Sequence, residues 1–264
     1  GKVIPNFIED IAKRQPFYKQ LEAKFEDNQD SINYYLNKPH KVKLFDYEKG
    51  SIEMEMSSLD SIRYMVKFMH CAMVAMEPQT GAVKAWVGDI DFNSWKYDKV
   101  KAMRQPGSTF KLFVYTEAMN QGLTPCDKRR DEYISMQVYD SKKHEMTTWT
   151  PGNANGSFSG DSMALKSAFA KSINSVAVRL GQEMGIKRII ETAHKMGVDS
   201  KLDDTPSLAL GSSDMNLLEL ADSYCTVADN GRHHAPILVT RIVDRDGKEV
   251  YRAPEDAEQV IPYK

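Results

Sequence analysis

The chain has 264 residues, too many for a disulfide-stapled miniature domain and enough for one large core or a core with a smaller appended unit. Its 35 basic and 37 acidic residues leave a net charge of −2, which argues against bulk electrostatic binding of nucleic acid. No run approaches the roughly 18 apolar residues of a membrane span, and the dispersed Gly and Pro leave no long disordered stretch, so the expectation is a soluble globular domain.

The chain starts at Gly1 with no basic–apolar–small leader, as an excised or processed piece would. In the first 40 residues Phe7, Ile8, Ile11 and then Phe17, Tyr18, Leu21 and Phe25 recur at helical spacing, with Pro16 breaking the pattern. Asp30 opens a further short helix ending near Pro39. Lys41–Tyr47 and Ser51–Met56 alternate around Glu48-Lys49-Gly50 and predict a hairpin. Ser57, Ser58 and Asp60 supply N-cap chemistry for a helix to about Phe68. Residues 1–70 thus read as a small α+β unit with nothing catalytic in it.

From residue 71 the texture changes. Cys71–Met76 and Ala82–Val87 read as strands around the turn Glu77-Pro78-Gln79-Thr80-Gly81. Gln105-Pro106-Gly107 precedes a helix over Ser108–Asn120, which Gly122 and Pro125 end. Residues 126–160 read as loop-rich, with Pro151-Gly152-Asn153 and Asn155-Gly156 near their end. Three helical patterns fill Asp161–Gly197, broken around Ser172–Asn174 and Met184-Gly185, and Leu217–Asp229 is another helix. Ile237–Val243 and Glu249–Tyr251 flank the hairpin signal Asp244-Arg245-Asp246-Gly247. Strands, then a helical block, then strands indicate α+β rather than a doubly wound sheet.

Several residue types are read as structural. Cys71, Cys126 and Cys225 fit neither a disulfide framework nor a metal knuckle, and Cys71 and Cys225 read as small buried hydrophobes. His233-His234 reads as a solvated loop, because neighbours on a strand point to opposite faces and cannot share a metal. Glu219 reads as the exposed side of its helix, Trp86 and Trp95 as core or cover, and Lys84, Arg104 and Asp214 as structural or unassigned. No metal cluster, phosphate loop or dinucleotide fingerprint occurs, so no cofactor is implied.

Ser108-Thr109-Phe110-Lys111 carries the strongest chemical signal. Residues i and i+3 share a helix face, so the lysine amine can approach the serine hydroxyl within one turn. A serine hydroxyl needs a base at neutral pH. A lysine serves only when burial or a neighbouring cation lowers its pKa. Ser-x-x-Lys alone arises by chance in a chain of this composition. The Pro-Gly turn before it and the apolar helix after it are what raise the signal, and an N-cap serine beside a solvated lysine is the competing reading. Ser172-Ile173-Asn174 is a candidate partner, since a hydroxyl can relay protons and an amide can both donate and accept. Ser31-Ile32-Asn33 repeats the pattern in the polar first quarter and reads as surface.

Arg104–Lys111, followed by Ser172-Ile173-Asn174-Ser175, resembles the transpeptidase domain of bifunctional (class A) penicillin-binding proteins. Glu77–Gly88, Pro206–Ser212 and Leu217–Gly231 are similar to other segments of that family. These blocks cover roughly residues 71–252, and the resemblance divides the chain into a linker-like region, 1–70, and a partial penicillin-binding transpeptidase domain, 71–264. The fold it implies is a β-lactamase/transpeptidase-like helical block packed on an antiparallel sheet. It implies that Ser108 attacks the D-Ala-D-Ala bond of a peptidoglycan stem peptide, with Lys111 as acylation base, Ser172 as proton relay and Asn174 as a substrate ligand. β-Lactams imitate that substrate and would acylate the same serine.

Two departures stand out. Leu112 occupies a position where many relatives have Pro, and no Lys-Thr-Gly or Lys-Ser-Gly occurs in the chain. The family carries that motif later, so it is expected beyond Lys264, with catalysis by this piece impaired. A glycosyltransferase domain and a membrane anchor are expected upstream, and an extracytoplasmic location at the periplasmic face of the inner membrane follows. A serine β-lactamase or D,D-carboxypeptidase on the same scaffold is the alternative enzyme, although no Glu-x-x-Leu-Asn occurs. A non-catalytic penicillin-binding sensor is the alternative of another class.

Overall fold

The helical spacing of the first quarter becomes three short helices, α1 (Phe7–Lys13), α2 (Pro16–Phe25) and α3 (Gln29–Asn37). Pro16 stands at the first position of α2, where its missing N–H would have had no intrahelical partner. Asn28 caps α3 by accepting from the Ser31 N–H at 3.0 Å. The hairpin follows as β1 (His40–Asp46) and β2 (Gly50–Met56), paired from His40 with Met56 to Asp46 with Gly50. Asp46 Oδ1 ties the turn by accepting from the N–H groups of Glu48 and Lys49 at 3.0 and 2.9 Å. Ser57 then caps α4 (Ser58–Met65).

The computed structural model describes residues 5–140 and 144–262. They fall into two units, one reaching Cys71 and including Asp89–Tyr97, the other formed by Ala72–Gly88 and the residues from Asp98 onward. The core of the first is Ala12, Tyr18, Ile32, Leu36, Leu59 and Ile62. Residues 89–97 return to it because Trp95 packs edge-on against Phe45, Phe68 and His70, and His70 Nδ1 lies 2.9 Å from Asp89. Trp95 is therefore cover for an aromatic cluster.

In the second unit β3 (Met73–Met76) pairs antiparallel with β4 (Val83–Val87). A 3₁₀ turn over Gly107–Phe110 leads into α5 (Lys111–Asn120). The stretch expected to be loop-rich contains β5 (Lys128–Arg130), β6 (Met136–Asp140) and β7 (Glu145–Trp149). Next come β8 (Ser162–Ala164), α6 (Leu165–Ala170), α7 (Asn174–Met184) and α8 (Ile186–Lys195). A second 3₁₀ turn, Pro206–Leu210, precedes α9 (Leu217–Ala228). The chain ends through β9 (Arg232–His233), β10 (Arg241–Val243), β11 (Glu249–Arg252) and β12 (Glu258–Gln259).

α5 packs against α7, α8 and the 206–210 turn. Their contact is filled by Phe110, Phe113, Val114, Leu165, Val176, Leu180, Ile189 and Leu208, each fully buried. The mixed helix–strand class and the helical block agree with the sequence reading. The strands differ from it: among the described residues they form six separate antiparallel pairs rather than one sheet. Four pairs join consecutive strands, whereas β5 pairs with β8 and β9 with β12 across longer connections, and an isolated parallel bridge between Ala82 and Ile237 links the β3–β4 hairpin to the later segment.

Three local expectations are corrected. Cys71 is exposed, because the strand starts two residues later at Met73, and Cys225 is only half-buried. Glu219 is not an idle exposed residue: it closes a capping box with Asn216 and accepts from Ser200 Oγ at 2.6 Å. His233 and His234 do point to different partners, but neither is simply solvated. His233 Nε2 lies 2.9 Å from Asp222 Oδ2 and His234 Nε2 lies 2.9 Å from Asp229 Oδ2. The carboxylates of Asp222 and Asp229 are themselves buried and require partners, which draws both imidazoles inward.

Leu180 of α7 belongs to the buried core of the second unit and has no exposed surface. Leu180→Ala is expected to cost about 2–5 kcal/mol in urea unfolding, through lost transfer energy and the cavity left behind. A loss below about 1 kcal/mol would contradict a tightly packed core there.

Candidate active site

Ser108 lies exposed in the 3₁₀ turn that opens α5, and Lys111 is the first residue of the helix. In a 3₁₀ turn residues i and i+3 eclipse, so the hydroxyl and the lysine stem leave the chain on the same side. Lys111 is only 1% exposed. Its Nζ donates to the Ser172 carbonyl at 2.8 Å, to Ser172 Oγ at 3.0 Å and to Asn174 Oδ1 at 2.6 Å. Lys111, Ser172 and Asn174 are thus in direct contact, and Ser108 adjoins them through the turn. Lys111 bonds to residues 172–174 rather than to Ser108 itself.

The three acceptors match the three donors of an ammonium group, and none carries a charge. Burial without a carboxylate partner pushes the Lys111 amine down from 10.5 to about 8. The partners differ once the amine is neutral. The Ser172 carbonyl and Asn174 Oδ1 can only accept, whereas the Ser172 hydroxyl can reverse and donate to the nitrogen lone pair. Ser172 is therefore the partner able to exchange a proton with Lys111.

Ser172 owes its position to the end of α6. Its N–H bonds to the Phe169 carbonyl at 2.9 Å and that of Ile173 to the Ala168 carbonyl at 3.0 Å, the pair of bonds of a Schellman ending. That ending requires a left-handed residue, and Ser172 has φ 54°. Glycine is the usual occupant, so a serine there holds a conformation that disfavours it.

Asn174 opens α7. Its Nδ2 donates to the Gly152 carbonyl at 2.8 Å, which leaves Oδ1 turned toward Lys111. The α7 N-cap, Ile173, has no capping side chain. The N–H groups of Asn174 and Ser175 are instead accepted by Asn153 Oδ1 at 3.0 and 3.2 Å. Asn153 Nδ2 donates to Asp131 Oδ1 at 2.7 Å, and Ser175 Oγ donates to the same oxygen at 2.6 Å. Burial pushes the Asp131 carboxyl upward, but the bonds from Ser175, the Ser159 backbone and Asn153 outweigh it and hold it below the usual carboxylate range.

The serine side is clamped separately. Arg104 and Met215 exchange backbone hydrogen bonds at 3.0 Å each, Gln105 Nε2 donates to the Ser212 carbonyl at 2.8 Å, and the Gly107 N–H reaches the Gly211 carbonyl at 3.3 Å. A Cβ on Gly211 would lie 2.2 Å from the Gly107 carbonyl oxygen, so only glycine allows these backbones to meet. Tyr224 of α9 adds a hydrogen bond from its hydroxyl to the Thr109 carbonyl at 3.2 Å.

Sequence reasoning gives no role to Asp131 or Asn153, and Ser175 and Gly211 enter it only as members of family-like segments. Asn153 was visible only as part of a Pro-Gly-Asn turn, and nothing in the spacing of Asp131 tied it to residue 175. Among the described residues no group of three or more His, Cys, Asp or Glu could hold a metal ion. No described helix is long and apolar enough to cross a membrane.

Residues 71–263 match the penicillin binding protein transpeptidase domain family, and residues 1–69 match the penicillin-binding protein middle domain family. Penicillin-binding protein 1A from Rickettsia prowazekii is 35% identical over 182 residues, 69% of this chain and 22% of that protein. The chain thus spans about a fifth of the length of that relative. Penicillin-binding protein 1A from Haemophilus influenzae superposes with a TM-score of 0.64 at 28% identity, covering 71% of this chain and 28% of that one. The PonA1 protein from Mycobacterium tuberculosis, solved in complex with penicillin V, has a TM-score of 0.63 at 20% identity over 97% of this chain and 67% of that one, a likeness of fold.

The strain at Ser172 can be separated from its chemistry. Ser172→Gly and Ser172→Ala both remove the hydroxyl, but only glycine relieves the left-handed backbone. The glycine variant is expected to be about 1 kcal/mol the more stable of the two in urea unfolding. Equal midpoints would mean that no strain is held there.

Proposed function

We propose, for a chain that belongs to the penicillin-binding protein transpeptidase family, that Ser108 is the acylated nucleophile of a peptidoglycan D,D-transpeptidase. The observation that carries this reading is the buried Lys111 amine, held among uncharged acceptors one turn from an exposed serine hydroxyl. With its pKa lowered to about 8, a substantial share of Lys111 is neutral near physiological pH and able to take a proton.

In the first half-reaction Ser108 Oγ attacks the carbonyl of the penultimate D-Ala while its proton passes to Lys111 Nζ. The tetrahedral intermediate collapses as the C–N bond breaks. Ser172 then hands a proton to the departing D-Ala nitrogen and is resupplied by Lys111, with which its hydroxyl is already hydrogen-bonded at 3.0 Å. In the second, an amine from a neighbouring stem peptide attacks the ester, loses a proton by the reverse route and releases Ser108. Asn174, whose amide lies between Lys111 and the Gly152 carbonyl, would re-pair with the backbone of the bound peptide. A β-lactam follows the first half alone, because its ring nitrogen stays tethered after the amide opens.

The partners in this reading are stem peptides and β-lactams. In the parent protein a glycosyltransferase domain and an anchor lie upstream and hold this unit on the extracytoplasmic side of the membrane. The division into a linker-like region, 1–70, and a catalytic domain from residue 71 belongs to the same proposal. A β-lactamase or carboxypeptidase would differ in using water as the second nucleophile.

Labelled penicillin incubated with the full natural protein is expected to give a covalent adduct mapping to Ser108 and lost in Ser108→Ala. Undiminished labelling of that variant would end the assignment. The acylation rate should rise with pH through about 8 and then level off, because only neutral Lys111 accepts the serine proton and deprotonation increases with pH. A rate that falls over the same range would remove Lys111 as the base. Supplying a D-Ala-D-Ala peptide with an amine acceptor should give cross-linked rather than hydrolysed product.

A further inference from the structure

We propose that Asn153 is the positioning residue that sets Asn174, and through it the amine of Lys111, for the chemistry at Ser108. The inference rests on the reading of Ser108 and Lys111 as nucleophile and base. It stands on the hydrogen-bond arrangement around the start of α7.

Asn153 is nearly buried, and its side chain uses its full capacity. Oδ1 accepts from the N–H groups of Asn174 and Ser175, while Nδ2 donates to Asp131 Oδ1 and to the Ser157 carbonyl. A cap needed only for helix stability would normally come from the N-cap residue itself. Here that residue is Ile173, whose side chain packs against the core instead. The task passes to a residue 21 positions before Asn174, fixed in turn by a buried carboxylate.

The neighbouring residue completes the arrangement. The Gly152 carbonyl takes the Asn174 Nδ2 proton, so residues 152–153 hold Asn174 at its backbone and at its side chain together. With backbone and amide both fixed, Oδ1 has one direction left, toward Lys111 Nζ at 2.6 Å. Asp131 anchors the far end, accepting from Asn153, Ser175 and the Ser159 N–H at 2.9 Å. A chain of hydrogen bonds therefore runs from a buried aspartate to the lysine amine, and each link except the last lies outside the reacting groups.

Loss of Asn153 frees the start of α7 and lets the Asn174 amide turn away from Lys111. An oxygen accepting from an ammonium favours its charged form, so withdrawing that oxygen lowers the lysine's pKa further. Asn153→Ala should therefore slow acylation by labelled penicillin about tenfold to a hundredfold at the plateau. It should also move the acid limb of the rate profile to lower pH by about one unit.

The experiment measures acylation against pH in the full natural protein for wild type, Asn153→Ala and Thr192→Val. Thr192 donates to Glu117 Oε2 at 2.7 Å elsewhere in the same core, so its variant is destabilised without touching this chain of bonds. Its limb should coincide with that of wild type. A wild-type protein that does not label at Ser108 overturns the nucleophile reading. A wild type that labels normally, beside an Asn153→Ala variant with an unmoved limb, overturns the role of Asn153. Should Asn153→Ala fail to fold, Asp131→Asn loosens the anchor while keeping Asn153 and should shift the limb in the same direction by less. An unmoved limb in that variant also overturns the inference.

Discussion

An amine buried away from water is the constraint on which the second unit depends. Lys111 starts α5 with its side chain enclosed, and enclosing an ammonium without partners would be strongly unfavourable. The fold answers with uncharged oxygen acceptors in place of a carboxylate. A carboxylate at the same place would hold the lysine protonated, whereas carbonyl, hydroxyl and amide oxygens satisfy its donors and leave the effect of burial in force. The partners must therefore arrive with their geometry already set, because weak acceptors compensate for desolvation only when all of them are in place.

That requirement explains features which look unrelated along the chain. α6 ends in a Schellman turn, which puts Ser172 in a left-handed conformation. α7 begins two residues later, and its first free N–H groups are accepted by a side chain from the 151–160 segment. The 104–107 segment is held against 211–215, with two glycines in backbone contact. One set of contacts fixes the lysine's acceptors and the other fixes the turn bearing the serine. The packed block of α5, α7 and α8 keeps the two sets in register.

Much of the local structure was legible in the sequence because it follows from local rules. Pro16 marks the break between two helices and Ser57 a helix start by their own chemistry, and the β1–β2 hairpin follows from alternation around a turn. Where a residue's partner is distant, the reading failed or stayed silent. Cys71 belongs to an apolar run by composition but precedes the strand in space. The pattern of His233 and His234 shows nothing of Asp222 and Asp229, which reach them from α9 and its end. Trp95 reads correctly as core or cover, but the aromatic cluster it covers lies distant in sequence and is not legible there.

The sequence by itself determined the helical block, the pairing of Ser108 with Lys111 on one turn, and the resemblance that Ser172 and Asn174 complete. These rest on spacing along a helix and on short ordered motifs, both of which are written in consecutive residues. Only the tertiary structure decided that Lys111 faces Ser172 and Asn174, that Ser172 sits in a left-handed position, and that Asn153 and Asp131 stand behind them. Burial and hydrogen-bond partnership across 21 to 63 residues depend on how helices pack. Packing is a property of the whole core, which no local pattern encodes.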